Sequence, residues 1–485
     1  MIDYTKLNIA RLQSKGLTAL EFFAAEIERW KRSKERTAQL DGERYYIGDH
    51  DILQRKRTAI GKNGPITLDN LPNNQIVDNQ YGKMVDQKTN YLLGQKFKID
   101  ADDEAYAMAL SEVFDRRFHR LLQNIGGDSL NGGIGWLYPY YDADKLRFRR
   151  LPPYEVLPFW ADDQHTELDA VVRLYASEVY EGQTLKTVER VEIYSSDGIG
   201  RYILTDGKLK DDPYNPHSSY IVRKGVAGEE TGFNWDRLPV VPFKYNAKEI
   251  PLISRTKSLQ DAINAIMSDF VNNMQEDSRN TILVIKNYDG EDLAQFRQNL
   301  AAYGAVKVRT VDGAAGAVET LQIEVNHHNY QALLEILKRA LVENAMGFDA
   351  KNLRSSTPNQ MNIQSMYSDV DLDANGMEAE YQAAFEDLLF FINAYLANTG
   401  KGDFSGKSVE IIFNRDMLMN EAESIDNLKK SVGIISRETL LAQHPWVSDV
   451  EAEQNRLDTE ARRRLDDYGG AFGDQGGDGD PNAQQ

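Results

Sequence analysis

Residues 256–276 read TKSLQDAINAIMSDFVNNMQE. Leu259, Ile263, Ile266, Met267, Phe270, Val271 and Met274 recur at helical spacing and make one wide apolar stripe. Gln260, Asp261, Asn264, Ser268, Asp269, Asn272 and Asn273 occupy the other side, so the spacing predicts an amphipathic helix over Thr256 to Glu276. Strand signals follow. Thr281-Ile-Leu-Val-Ile285 is a short apolar run ended by Asn287-Tyr-Asp-Gly290, and Ala305 to Val311 alternates before the turn Asp312-Gly313. Between them Glu291 to Tyr303 reads as a helix. A second long helix, Tyr330 to Met346, sets Tyr330, Leu333, Leu334, Leu337 and Leu341 on one face. Gly347 to Pro358 is a loop rich in Asn and Ser. A third helix runs from near Asn359 to about Ala397, with Val370, Ala374, Met377, Tyr381, Phe385, Leu388, Ile392 and Leu396 in one stripe. At 1.5 Å per residue it spans roughly 55–60 Å, long for a compact domain. Periodicity alone makes this a helical bundle with a small subdomain on one loop.

Composition narrows the classes. A chain of 485 residues suits two to four domains, and 41% apolar content supplies sizeable cores. The net charge, 56 − 75 = −19, argues against a protein that coats nucleic acid, which needs clustered cations. It leaves room for one that lets nucleic acid pass without sticking. The absence of cysteine excludes disulfides, thiolate metal sites and thiol nucleophiles. Met1-Ile-Asp-Tyr-Thr-Lys6 lacks a basic segment followed by an apolar one, so no secretory signal is expected, and no apolar run reaches membrane-spanning length.

The chain before residue 251 reads as a mixed α/β platform. Leu17 to Thr37 is expected as one amphipathic helix, with the basic run Lys31 to Arg36 near its C-terminal end. Pro72 to Asp78 leads into a helix, Tyr81 to Leu93, stopped by Gly94, and Lys96 to Asp100 starts as a strand. Glu104 to Ile125 reads as one helix broken by Gly126-Gly127; the Gly-rich Gly132-Gly-Ile-Gly135 precedes a strand, which fits a hairpin or bulge. Strands are expected at Trp136–Tyr141, Leu146–Arg149, Ala170–Tyr175, Thr187–Ser195, Arg201–Thr205 and Tyr220–Lys224, in an antiparallel sheet with one wet face. Pro239 and Pro242 keep the extended Leu238 to Asn246 out of a sheet centre. After the third long helix come a strand, Ser408 to Phe413, and helices at Asn420–Lys430, Ser436–Ala442 and Val450–Asp467. Tyr468 to Gln485, with almost nothing apolar, is expected to be disordered.

No catalytic constellation stands out. There is no Walker-type phosphate loop and no dinucleotide-binding glycine fingerprint. His327-His328 fits the start of a helix better than a metal site. Asp369, Asp371 and Asp373 splay around one helix instead of converging. No cofactor, no metal and no catalytic residue is expected.

Four stretches and their order are similar to one family. Tyr45-Tyr-Ile-Gly-Asp-His-Asp-Ile-Leu53 resembles an early Tyr-Tyr-x-Gly-x-His-x-Ile signature. Val85-Asp-Gln-Lys-Thr-Asn-Tyr-Leu-Leu-Gly94 is similar to its Lys-Thr-x-Tyr-x-x-Gly helix end. Leu238 to Asn246 looks like its proline-rich lead-in, except that Tyr245 stands where Asn is common. Helix, insert, helix, loop and long helix then follow in the family's order. Over residues 20 to 465 the chain resembles the portal proteins of tailed bacteriophages, in the subgroup of long-tailed phages of Gram-positive hosts.

The resemblance implies an α+β portal fold: a mixed α/β wing (1–250), stem helix 1 (251–278), a small α/β clip insert (279–326), stem helix 2 (327–346), a tunnel loop (347–358), a long wing helix (359–399), a wing strand (400–419), a helical crown (420–467) and a tail (468–485). It implies a non-enzymatic ring at one capsid vertex, a dodecamer or possibly 13 copies when free, in the virion after assembly in host cytoplasm. Expected partners are the terminase large subunit, a head-completion or adaptor protein, the major capsid and scaffolding proteins, and double-stranded DNA passing non-specifically; no membrane is involved. The tunnel loop would bring Lys351, Asn352, Arg354, Ser355 and Ser356 to the DNA, and Asn264, Asp269, Asn272 and Asn273 would line the channel. The alternative from another class is a metal-dependent DNA-processing enzyme with a helical oligomerisation arm.

Overall fold

The computed structural model describes residues 16–61, 64–67, 71–224, 229–277, 282–286, 309, 317–321, 327–349, 360–415, 421–444, 446–447 and 450–471. The chain divides into two units, Met1–Phe348 with Asp369–Asp416, and Asp349–Ser368 with Met417–Gln485.

In the first unit Thr18 caps α1 (Ala19–Trp30) through a reciprocal box with Glu21. The single helix expected over Leu17 to Thr37 is two, because Ser33 is extended and takes the Arg36 N–H at 3.1 Å, starting α2 (Lys34–Tyr46). The basic run is tied down at this joint: Lys31 pairs with Glu28 and Glu189, and Arg36 lies over the Trp30 ring. The hairpin β1 (Thr58–Gly61) and β2 (Gly64–Thr67) precedes an extended strap, residues 72–79, and then α3 (Gln80–Leu93). Next come β3 (Lys98–Ala101), α4 (Glu104–Val113) and α5 (Arg116–Gly132). Here too one expected helix is two, since Asp115 accepts the Arg117 and Phe118 N–H groups at 2.8 and 2.9 Å. The second runs through Gly126-Gly127 and stops at Gly133, which is left-handed at φ 81°. The Gly-rich stretch is therefore a helix-to-strand turn, not a hairpin.

The strands follow as β4 (Ile134–Asp142), β5 (Lys145–Leu151), β6 (Val156–Trp160), β7 (Leu168–Glu181), β8 (Thr184–Ser195), β9 (Gly198–Thr205), β10 (Lys208–Asp211), β11 (His217–Ser218), β12 (Ile221–Lys224), β13 (Glu230–Phe233) and β14 (Val241–Lys244). One antiparallel sheet has the order β10-β9-β8-β7-β6, with β11 also on β9; another has the order β14-β4-β5. Thus β14 is an outer strand, as its prolines require. Phe22, Ile27 and Trp30 of α1 bury against Leu157, Phe159, Val172 and Val191 of the first sheet.

The long α6 (Ile253–Asp277) leads to an antiparallel pair, β15 (Ile282–Lys286) and β16 (Ala317–Leu321). The helix expected at Glu291–Tyr303 lies outside the described residues, as does the strand at Ala305–Val311 apart from Arg309; β16 escaped the sequence reading. Then come α7 (His327–Asn344), which packs on α6, and α8 (Gln360–Asn398). From Asp369 onward α8 is the spine of the main core. Met377, Tyr381, Phe385, Leu388, Ile392 and Leu396 are all buried, and the Phe385 ring sits 5.3 Å from Phe97, 5.6 Å from Phe114 and 5.8 Å from Phe243. Burying each such side chain contributes roughly 1.5–3 kcal/mol. The last strand of the unit, β17 (Val409–Ile412), returns to pair with β3.

The second unit holds α9 (Glu421–Ser431), α10 (Arg437–Ala442) and α11 (Val450–Ala471). Ser436 caps α10 as its sequence predicts, and Arg437 reaches Asp458 of α11 at 3.6 Å. Because α11 continues to Ala471, the disorder expected from Tyr468 does not begin there; residues 472–485 lie outside the described residues.

Candidate functional site

The polar side of α6 is not a solvent face. Gln260, Asn264, Ser268 and Asn272 stand four residues apart and are 0–2% exposed. The strap at 72–79 has no sheet partner, so its backbone N–H groups need acceptors. They find them on the helix. Asn74 N donates to Asn272 Oδ1 at 2.7 Å, Ile76 N to Ser268 Oγ at 3.0 Å, and Asp78 N to Asn264 Oδ1 at 3.0 Å. Tyr81 N closes the series on Gln260 Oε1 at 2.9 Å. The match is metric. Two extended residues advance about 6.6 Å and four helical residues about 6 Å, so alternate strap amides meet every fourth helix position.

The Tyr45–Leu53 motif grips the same helix. His50 is buried, stacks on Tyr45 at 4.3 Å and meets Asn264 Nδ2 through its Nδ1 at 2.7 Å. Asn264 Oδ1 already accepts from Asp78 N and from Gln260 Nε2, so its Nδ2 must donate and His50 Nδ1 must accept. The ring is thus neutral with its proton on Nε2, which donates to the Tyr45 carbonyl at 2.9 Å. Burial holds its pKa below the ordinary histidine value. Beside it the Tyr45 hydroxyl bonds to Asp261, and Lys257 Nζ reaches Tyr45 Oη at 2.9 Å and Asp261 at 3.0 Å. Partial burial works to raise the Asp51 pKa, but Lys257 and Arg44 outweigh it and hold it at about 2.

The Val85–Gly94 motif clamps the root of the loop after α7. Gln87 Nε2 donates to the Phe348 carbonyl at 2.9 Å and its Oε1 accepts the Phe348 N–H at 2.8 Å. Lys88 is buried and bonds to the Met346 carbonyl at 3.1 Å and to Asp373 at 2.6 Å. Tyr245 Oη also donates to Asp373 at 2.9 Å; that is the position at which the proline-rich lead-in departs from Asn. Tyr91 and Arg415 take Asp371 instead, so the alternating acids do splay. Gly347 fits because its neighbour is close: a Cβ there would fall 2.5 Å from Met84 Sδ.

Among the expected channel residues, Asn264 and Asn272 have almost no surface to offer a channel, since the strap covers them. Asp269 pairs with Arg55 at 2.7 Å and keeps a 44% exposed side chain; Asn273 donates to Tyr330 Oη at 2.9 Å. Lys351, Asn352, Arg354, Ser355 and Ser356 lie outside the described residues. His327 meets the Phe270 ring, and no group of three His, Asp or Glu placed to hold a metal occurs among the described residues. No described helix is long and apolar enough to cross a membrane. Sequence reading missed Gln87, Lys88 and the strap. Their signal was an extended Asn-rich segment without a strand partner.

A family described as "Phage portal protein, SPP1 Gp6-like" matches residues 25–466. The portal protein of Bacillus phage SPP1 is 28% identical over 447 residues, covering 91% of this chain and 87% of the relative. The portal protein of Clostridium phage phiCD119 is 26% identical over 445 residues, covering 88% and 94%. Neither family nor relatives support the alternative of a DNA-processing enzyme. With its mixed α+β fold and with both motifs built into the grip on α6 and on the loop root, the chain belongs to the SPP1 Gp6-like family of phage portal proteins.

Proposed function

We propose that twelve copies close into a ring at one capsid vertex, with twelve or thirteen in the free protein. As a portal protein the chain is a structural component of the virion, and its family implies a ring that works with capsid, terminase and DNA. In this reading α6 and α7 form the stem, and the segment carrying β15 and β16 is the clip that meets the terminase large subunit and later the adaptor. Residues 420–467 form the crown, and assembly on scaffolding and major capsid protein takes place in host cytoplasm. The loop at 347–358 approaches the DNA backbone with Lys351 and Arg354, giving weak, non-specific contact suited to sliding.

The observation that supports this best is the clamp on Met346 and Phe348. A loop that touches moving DNA needs a rigid root, and Gln87 and Lys88 provide one from the main core. Leu333 and Ile336 on α7 are 46% and 61% exposed, apolar surface that a neighbouring stem would cover. Asp269 and Asn273 remain candidates for the channel wall; Asn264 and Asn272 do not.

Negative-stain electron microscopy with mass by light scattering tests the ring. Annular particles of about twelve to thirteen times the 55.0 kDa chain are expected. Monodisperse monomer or dimer at every salt concentration contradicts the reading. In a packaging assay Lys351→Ala with Arg354→Ala is expected to leave rings intact and slow DNA uptake.

A further inference from the structure

The sheet β10-β9-β8-β7-β6 has two outer edges, and each carries an unusual feature. At one, β10 and β11 both pair with β9, and residues 212–216 join them. Asp212 is buried: its N–H donates to the Arg201 carbonyl at 2.9 Å, and its carboxylate binds Arg190 and accepts the Tyr214 N–H at 2.9 Å. Arg201 N–H donates to the Pro216 carbonyl at 2.7 Å, and Pro213 and Pro216 fix their own φ angles. The loop is stiff, yet Tyr214 at its tip is 89% exposed.

At the opposite edge β6 borders a cavity of about 510 Å³ walled by Trp30, Trp136, Val156, Pro158 and Trp160. Trp136 is fully buried with an indole N–H that lacks an acceptor, and Gln39 Oε1, on the same wall, lacks a donor. Leaving a buried polar group unmatched costs about 1–3 kcal/mol. One hydroxyl answers both, accepting from the indole and donating to the amide oxygen. The charges also match. The cavity wall includes exposed Arg29, Lys34 and Lys248 against one exposed acid, Glu35, whereas residues 211–216 carry two carboxylates and no cation. Knob and cavity are four strand spacings apart, about 19 Å, on opposite sides of one sheet. A head-to-tail contact needs two different, complementary patches on each copy.

We propose that Tyr214 of one copy inserts into this cavity of the next, with its Oη between Trp136 Nε1 and Gln39 Oε1. The proposal rests on the ring assembly above and names one contact within it. Because the chain has no cysteine, a double variant Asn215→Cys with Lys34→Cys gives a clean reporter. Rings of this variant, verified by electron microscopy, are treated with a short bismaleimide and run on a denaturing gel. A ladder of covalent oligomers, absent from each single variant, is expected. Verified rings that yield monomer bands alone overturn the contact and leave the ring standing, whereas absence of rings from the unmodified chain overturns the assembly and the contact with it. In parallel, Tyr214→Ala is expected to raise the concentration at which rings dissociate by about tenfold or more, and Tyr214→Phe by less. A shift within about twofold for Tyr214→Ala contradicts the proposal.

Discussion

The two helices that flank the β15–β16 pair are built on opposite surpluses. In α6 a stripe of amides and a hydroxyl, Gln260 to Asn272, is sealed inside the subunit; in α7 two aliphatic side chains, Leu333 and Ile336, are left outside. Both invert the ordinary order of burial, for different reasons. The strap at 72–79 brings backbone donors that no sheet accepts, so a polar helix face is the partner it needs. The α7 surface has no partner within the chain, and in the ring a neighbour supplies it. The polarity of a helix face reports what bonds to it, and that can be backbone as readily as water.

The contrast breaks most sharply at Asn264. Asn264→Leu strands the Asp78 N–H, the Gln260 amide and His50 Nδ1 together, and is expected to cost about 3 kcal/mol, read as a lower urea midpoint. Gly347→Ala comes next. Its methyl must displace Met84, at about 1–2 kcal/mol, and thermal unfolding of the free subunit measures it. The third test is pH. His50 is held neutral, with its folded pKa below the unfolded value near 6.5. The unfolded chain therefore binds more protons as acid is added, so the contribution of His50 is intact above about pH 6.5 and is lost as pH falls through the depressed folded value. Urea midpoints measured across that window should decline, and His50→Gln should flatten the decline. The smallest effect is at the other helix: Ile336→Gln is expected to change free-subunit stability by less than about 0.5 kcal/mol while weakening rings in dilution experiments.

Much of this architecture is legible in the sequence. The three long helices, the edge position of Val241–Lys244 and the Ser436 cap follow from apolar period, proline and capping chemistry. What escaped has physical causes. Ser33 and Asp115 each start a new helix without interrupting the apolar rhythm, so two pairs of helices read as two single ones. The short strands β6, β10 and β16 owe their pairing to neighbours, which a local pattern does not display. At the candidate site the Asn and Gln stripe was visible, but its direction was not. Periodicity tells which residues share a face, and only the strap, about 190 residues away in sequence, decides that this face points inward.

The most direct test is the accessibility of position 336 with and without assembly. A single Ile336→Cys in the cysteine-free chain is labelled with a maleimide, in dissociated subunits and in rings verified by microscopy. Labelling at least about tenfold slower in the ring is the predicted result, because a neighbouring stem covers this surface and excludes water. Equal rates in both states would contradict the assignment of the exposed face of α7 to the ring contact.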